Sequence, residues 1–101
     1  MSGLHVSLAA RCRTRSTTDK AVLLVLAELC DHRGYVDIRQ RDLAALVCCD
    51  ASTISRALQS LEDSQLVLRS PNGNPEGGRR SDTIALDAVE MRTRAVGGAF
   101  A

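Results

Sequence analysis

Residues 21–27, "AVLLVLA", form an unbroken apolar run inside "STTDKAVLLVLAELCDHRG". The longer stretch reads as a helix. Thr18 or Asp19 can cap its start, and Gly34 can stop it after His32 and Arg33, two residues that suit a helix C-terminus. At about 100° per residue, such a run covers most of the helix circumference. A helix of that kind is stable only when other elements cover it on more than one side. It is therefore the post around which the rest of the chain must pack. Leu24 falls among Lys20, Glu28 and Asp31, on what should be the wet side. Either the N-terminal segment or a second subunit is expected to cover it.

With 101 residues, the chain can build one core around that post, and not two. Hydrophobic residues make up 45% and charged residues 25%, a globular rather than a disordered composition. No apolar run reaches the ~20 residues of a membrane span, and "MSGLHVSLAARCRTR" has no clean signal-peptide core. The expected location is the cytoplasm.

Residues 4–15 fit two periods. Leu4, Val6 and Leu8 alternate as in a strand, whereas Leu4, Leu8 and Cys12 recur at helical spacing. After the central helix, "YVDI" (35–38) reads as a short strand. "RQRDLAALVC" reads as a short helix with Leu43, Ala44, Leu46 and Val47 inward. A tight turn, "CCD", leads into a helix over about 51–64 with Asp50 as N-cap. This helix is cleanly two-sided. Ile54, Ala57, Leu58 and Leu61 fall on one face, and Ser52, Ser55, Arg56 and Gln59 on the other. "LVLRS" (66–70) and "SDTIALD" read as strands joined by the Gly/Pro-rich "PNGNPEGGRR", a hairpin with a long tip. The tail places Ala88, Met91 and Ala95 at helical spacing behind a capping Asp87.

A helix that enters a DNA major groove must begin with small side chains, or its backbone cannot approach base edges and phosphates. Ser52, Thr53 and Ser55 are small and bear hydroxyls, and Arg56 and Gln59 can reach guanine or adenine edges. Net charge is only +1, but its distribution is uneven. Arg11, Arg13 and Arg15 crowd the N-terminal segment, where they form a candidate arm along a DNA backbone or simply keep a terminus soluble. Arg69, Arg79 and Arg80 cluster around the hairpin, where they form a second basic group or are incidental charge on a solvated loop.

The order helix, strand, short helix, tight turn, helix, hairpin resembles the winged helix-turn-helix DNA-binding family. "DLAALVCCDASTISRALQSLEDSQLVLRS" carries the resemblance: "LAALV" is similar to the supporting helix, "DASTISRALQSLE" to the recognition helix, and "LVLRS…GGRRSDTIAL" to the wing. The likeness is nearest to multiple-antibiotic-resistance-regulator-like (MarR-like) repressors and to winged-helix modules of plasmid and phage replication or partition proteins. It implies an α+β, mostly helical fold: a three-helix core with a β-hairpin wing over residues 18–87, preceded by a basic segment (1–17) and followed by a short helix and tail (88–101). The resemblance also implies binding of duplex DNA, with Ser52, Thr53, Ser55, Arg56, Gln59, Arg69, Arg79 and Arg80 at the interface. Glycine is common at the helix-turn-helix turn of this family. Cys48 stands there, so a wider or reshaped turn is expected. The short flanking segments differ from the long dimerising helices of MarR-like repressors and point towards a minimal plasmid or phage binder.

A homodimer fits, because two-fold symmetry doubles the few base pairs one helix reads. Leu24 and the apolar stripe of the tail offer surfaces for it. The function expected is therefore a small regulator, either a transcriptional repressor or a replication/partition factor. The alternative is a winged-helix adaptor that binds protein and not DNA, which the near-neutral charge favours. Catalysis is not expected: the chain has no Gly-rich phosphate loop, no paired carboxylates in an apolar setting and no supported Ser–His or Cys–His arrangement. No cofactor or metal is expected either. Cys12, Cys30, Cys48 and Cys49 match no zinc spacing and read as small buried hydrophobes, with a thiol sensor at Cys48-Cys49 as the rival reading.

Overall fold

A computed structural model describes residues 3–71 and 82–95. The elements are α1 (Gly3–Arg11), α2 (Thr17–Leu29), β1 (Tyr35–Ile38), α3 (Gln40–Val47), α4 (Ala51–Asp63), β2 (Val67–Pro71), β3 (Asp82–Leu86) and α5 (Ala88–Thr93). Helices α2, α3 and α4 pack on one another, and α1 packs on both α2 and α5. The strands form one antiparallel sheet in the order β1-β3-β2. This is a mostly helical winged helix with a hairpin wing, as the sequence implied.

The apolar run of α2 is the centre of the core. Val22, Leu23, Leu26 and Ala27 are fully buried, while Leu24 and Val25 are half-buried. Both ends of α2 differ from the sequence expectation. The N-cap is Ser16, not Thr18 or Asp19, and its hydroxyl accepts from the Asp19 amide at 3.1 Å. The helix ends at Leu29, before His32 and Arg33. Asp31 stops it: one carboxylate oxygen accepts from the amides of Arg33 and Tyr35, offering the backbone an alternative to another helical turn. Gly34 follows at φ 89°, and its carbonyl accepts from Leu86. A Cβ there would lie 2.9 Å from His5 Nε2 and 3.1 Å from the Leu86 carbonyl oxygen, so only glycine lets α1 and β3 meet at this turn.

Residues 3–11, ambiguous in sequence, are helical. The buried stripe of α1 is His5, Leu8 and Ala9, continued by Cys12, and Leu4 is exposed. Neither sequence pattern named that stripe, because both counted Leu4 as inward. On α3, Leu43 and Ala44 are buried as expected, but Leu46 is 55% exposed. It faces a shallow groove with Leu24, Val25 and Leu29 of α2. On α5, Met91 is fully buried, and a bridge from Cys12 to Ala95 ties the end of α1 to the end of α5. The apolar stripe of the tail is thus used inside this chain.

The turn between α3 and α4 has the left-handed geometry usually given to glycine: Cys48 sits at φ 64°, ψ 44°. The amides of Cys48 and Cys49 close α3 onto Ala45 and Ala44. The expected reshaping of the turn is absent, and cysteine takes the strained conformation. Cys48 is exposed and Cys49 half-buried, so the pair does not follow the reading of all four cysteines as buried. A left-handed conformation costs a non-glycine residue about 1–2 kcal/mol, and glycine returns about 0.5–1 kcal/mol of that through unfolded-chain entropy. With no packing to lose at this exposed site, Cys48→Gly is expected to raise stability by about 0.5–1 kcal/mol. Cys48→Val is expected to lower it. Urea unfolding midpoints measure both; a lower midpoint for the glycine variant would show that Cys48 makes a contact worth more than the strain.

Candidate nucleic-acid interface

The site is built on α4. Its apolar face, Ile54, Ala57, Leu58 and Leu61, is buried, which fixes the helix against α2 and α3. Rotation is thereby set, and the opposite face (Ser52, Ser55, Arg56 and Gln59) stands exposed. Thr53 lies at the edge, half-buried. Asp50 caps the helix by accepting from the Thr53 amide at 2.8 Å. Hydrogen bonds from the Thr53 side chain and amide and from the Ser52 hydroxyl hold the Asp50 carboxyl below its ordinary range. Two of the polar side chains already have partners. The Ser52 hydroxyl donates to Asp50 at 3.1 Å, and the Gln59 amide nitrogen donates to Asp63 at 3.0 Å. Both contacts are exposed, so their release is cheap.

Arg69 is placed differently from the rest. Cross-strand pairing puts it opposite Ile84 and Val36, in a row that faces the helices, while Leu68 faces out. Its guanidinium meets Glu62 of α4 at 2.9 Å, and its side chain is only 19% exposed. Arg69 thus ties the first wing strand to the recognition helix. The signal was available in the sequence, since Val67 and Arg69 share a strand face. Arg79 and Arg80, expected at the wing tip, lie outside the described residues.

The N-terminal arginines are not on a loose arm. Arg11 ends α1, and the segment that follows is tied at several points. The Arg13 amide donates to the Arg94 carbonyl at 2.9 Å, the Lys20 ammonium to the Cys12 carbonyl, and the Thr14 hydroxyl to the Ser16 carbonyl at 2.8 Å. Arg13 lines a cleft of about 390 Å³ beside Arg94, the C-cap of α5. Arg15 borders that cleft and a second one, of about 320 Å³, whose other wall is α4 with Thr53 and Arg56. The structure therefore brings Arg15, and not Arg69, beside Arg56.

One positioning pair escaped the sequence reading. Asp19, on the first turn of α2, is buried and accepts from the Ser60 hydroxyl of α4 at 2.5 Å. It locks the recognition helix to the central helix. Ser16-x-x-Asp19 has the form of a capping box, which was its one local trace.

The model of the MarR family matches residues 23–74, just over half of the chain. The chain belongs to the MarR family. The match runs from α2 through α3 and α4 into the hairpin, and so holds the whole helix-turn-helix. Among solved structures, the MarR-type fold is shared with a possible transcriptional regulator from Methanosarcina mazei Go1, at a TM-score of 0.56 and 17% identity. That likeness covers 83% of this chain and 62% of the other, so this chain spans less than two thirds of its structural neighbour. No curated protein matches the sequence. Burial pushes the thiols of Cys12 and Cys30 up, which keeps them protonated in the core of this MarR-type domain. Among the described residues, no cluster of three His, Cys, Asp or Glu side chains could hold a metal ion, and no helix is long and apolar enough to cross a membrane.

Proposed function

We propose that this MarR-family protein is a transcription regulator, and not an enzyme, that binds duplex DNA sequence-specifically with α4 in the major groove. One observation carries the reading: a helix whose rotation is fixed by four buried residues presents Ser52, Ser55, Arg56 and Gln59 to solvent on its far side. Small residues lead, so the backbone can come close, and longer polar side chains follow one turn later. Family membership supports a DNA partner. Ser55 and Gln59 are the base-facing side chains in this reading, with Ser52 and Thr53 nearer the backbone. Arg79 and Arg80 serve the wing tip, and Arg69 sets the wing's angle through Glu62. Two copies on a symmetric site would complete a useful recognition length. The domain that does this is residues 18–87, with the flanking helices as its support.

The test is a fluorescence-anisotropy titration of a labelled random-sequence duplex at two salt concentrations. With about five phosphates neutralised, raising salt from 50 to 200 mM should weaken binding a hundred- to a thousand-fold. A protein that retains no duplex at 50 mM salt is not a DNA binder, and the adaptor role would then take its place.

A further inference from the structure

We infer that Arg15 and Arg56 form a seat for one backbone phosphodiester, so that Arg56 holds the DNA strand and does not read a base. The inference rests on the proposed function and assigns a separate task within that interface. The cleft between α4 and the segment entering α2 has a volume of about 320 Å³ and is open to solvent. Arg15 stands on one wall and Arg56 on the other, with the hydroxyl-bearing Thr18 and Thr53 along the edges. Among the described residues, no carboxylate forms a salt bridge with either guanidinium, whereas Arg33, Arg69 and Arg94 each have one.

One acidic group, Asp19, lines the cleft, and a second, Asp50, is close enough to Arg56 to feel its charge. Asp19 is buried and already accepts from the Ser60 hydroxyl. Asp19 is thereby occupied, and the two guanidinium groups are the charged groups the cleft offers to an anion. Planar guanidinium forks converging from two sides can each donate to the non-bridging oxygens. The seat is also held in place before DNA arrives. The Thr14 and Arg13 hydrogen bonds and the Lys20 contact fix the backbone around Arg15, and the buried face of α4 fixes Arg56. A phosphate there has the same chemistry on every sequence, so the seat contributes affinity without discrimination.

The experiment compares Arg15→Ala, Arg56→Ala, the double variant and Arg92→Ala. Each is titrated with a random duplex and with the best-binding duplex over a salt series. Arg92 is an exposed arginine on α5 that lines neither cleft, and it controls for general loss of charge. All three sites are exposed, and thermal melts should coincide. Arg15→Ala and Arg56→Ala should weaken both duplexes by the same factor, roughly five- to tenfold. The double variant should lower the salt slope by about one in total, the change for a single phosphate. Arg92→Ala should leave affinity and slope unchanged. A loss confined to the best-binding duplex in Arg56→Ala would make Arg56 a base reader and overturn the seat. A slope change near two in the double variant would mean two separate phosphates and would also overturn it. So would equal weakening by Arg92→Ala, or no effect of Arg15→Ala while the wild type still binds. If the wild type retains no duplex, the functional reading fails and the seat fails with it.

Discussion

Leu26→Ala is expected to lower the unfolding free energy by about 3 kcal/mol, a large share of the 5–15 kcal/mol that folded domains possess. Leu26 is fully buried on α2, which packs on α1, α3 and α4, so no single neighbour can collapse into the space left behind. The melting temperature should fall by roughly 10–20 °C. Leu24→Ala, two residues away in the same apolar run, should cost less than about 1 kcal/mol. Leu24 is half-buried and borders an open groove, where little cavity would form. Urea unfolding of the two variants measures the contrast. Equal losses would mean that Leu24 is covered in solution, as a second subunit seated on that groove would do.

Ser55→Glu is expected to reduce duplex affinity by at least a hundredfold while leaving the melting temperature within a few degrees of wild type. Ser55 is exposed on the middle of the α4 face, and a surface substitution away from caps and cores shifts stability by about 0.5 kcal/mol or less. A carboxylate placed against DNA phosphates instead costs several kcal/mol through like-charge repulsion. The same change also lengthens a side chain where the backbone must come close. Anisotropy titration beside a thermal melt separates the two effects. An unchanged affinity with an unchanged melt would move the DNA contact off α4.

Strong periodicity was readable in sequence wherever one element had one buried face. The α4 helix shows this best: four inward positions at helical spacing and a capping Asp50 defined its start, rotation and exposed surface. The strands of the wing were readable for a similar reason, bounded by turn residues. The failures are equally physical. "STTD" contains four residues able to cap α2, and periodicity cannot say which hydroxyl closes the first turn. The end of α2 depends on the Asp31 carboxylate binding two amides, a contact no apolar pattern records. Leu46 belongs by spacing to the inward edge of α3 but borders a groove that only the placement of α2 reveals. Local pattern could not join Asp19 to Ser60, nor bring Arg15 and Arg56 to one cleft. In each pair, the partners are 41 residues apart and meet only because α2 and α4 pack together.

The most direct measurement is selection of bound sequences from a pool of random duplex DNA, followed by sequencing of the recovered molecules. Sequence-specific binding by α4 in a dimer should give strong enrichment of a single motif, with two related half-sites about one helical turn, roughly 10 base pairs, apart. Recovery of duplex without any enriched motif would contradict sequence-specific reading by α4, and recovery of no duplex at all would contradict DNA binding itself.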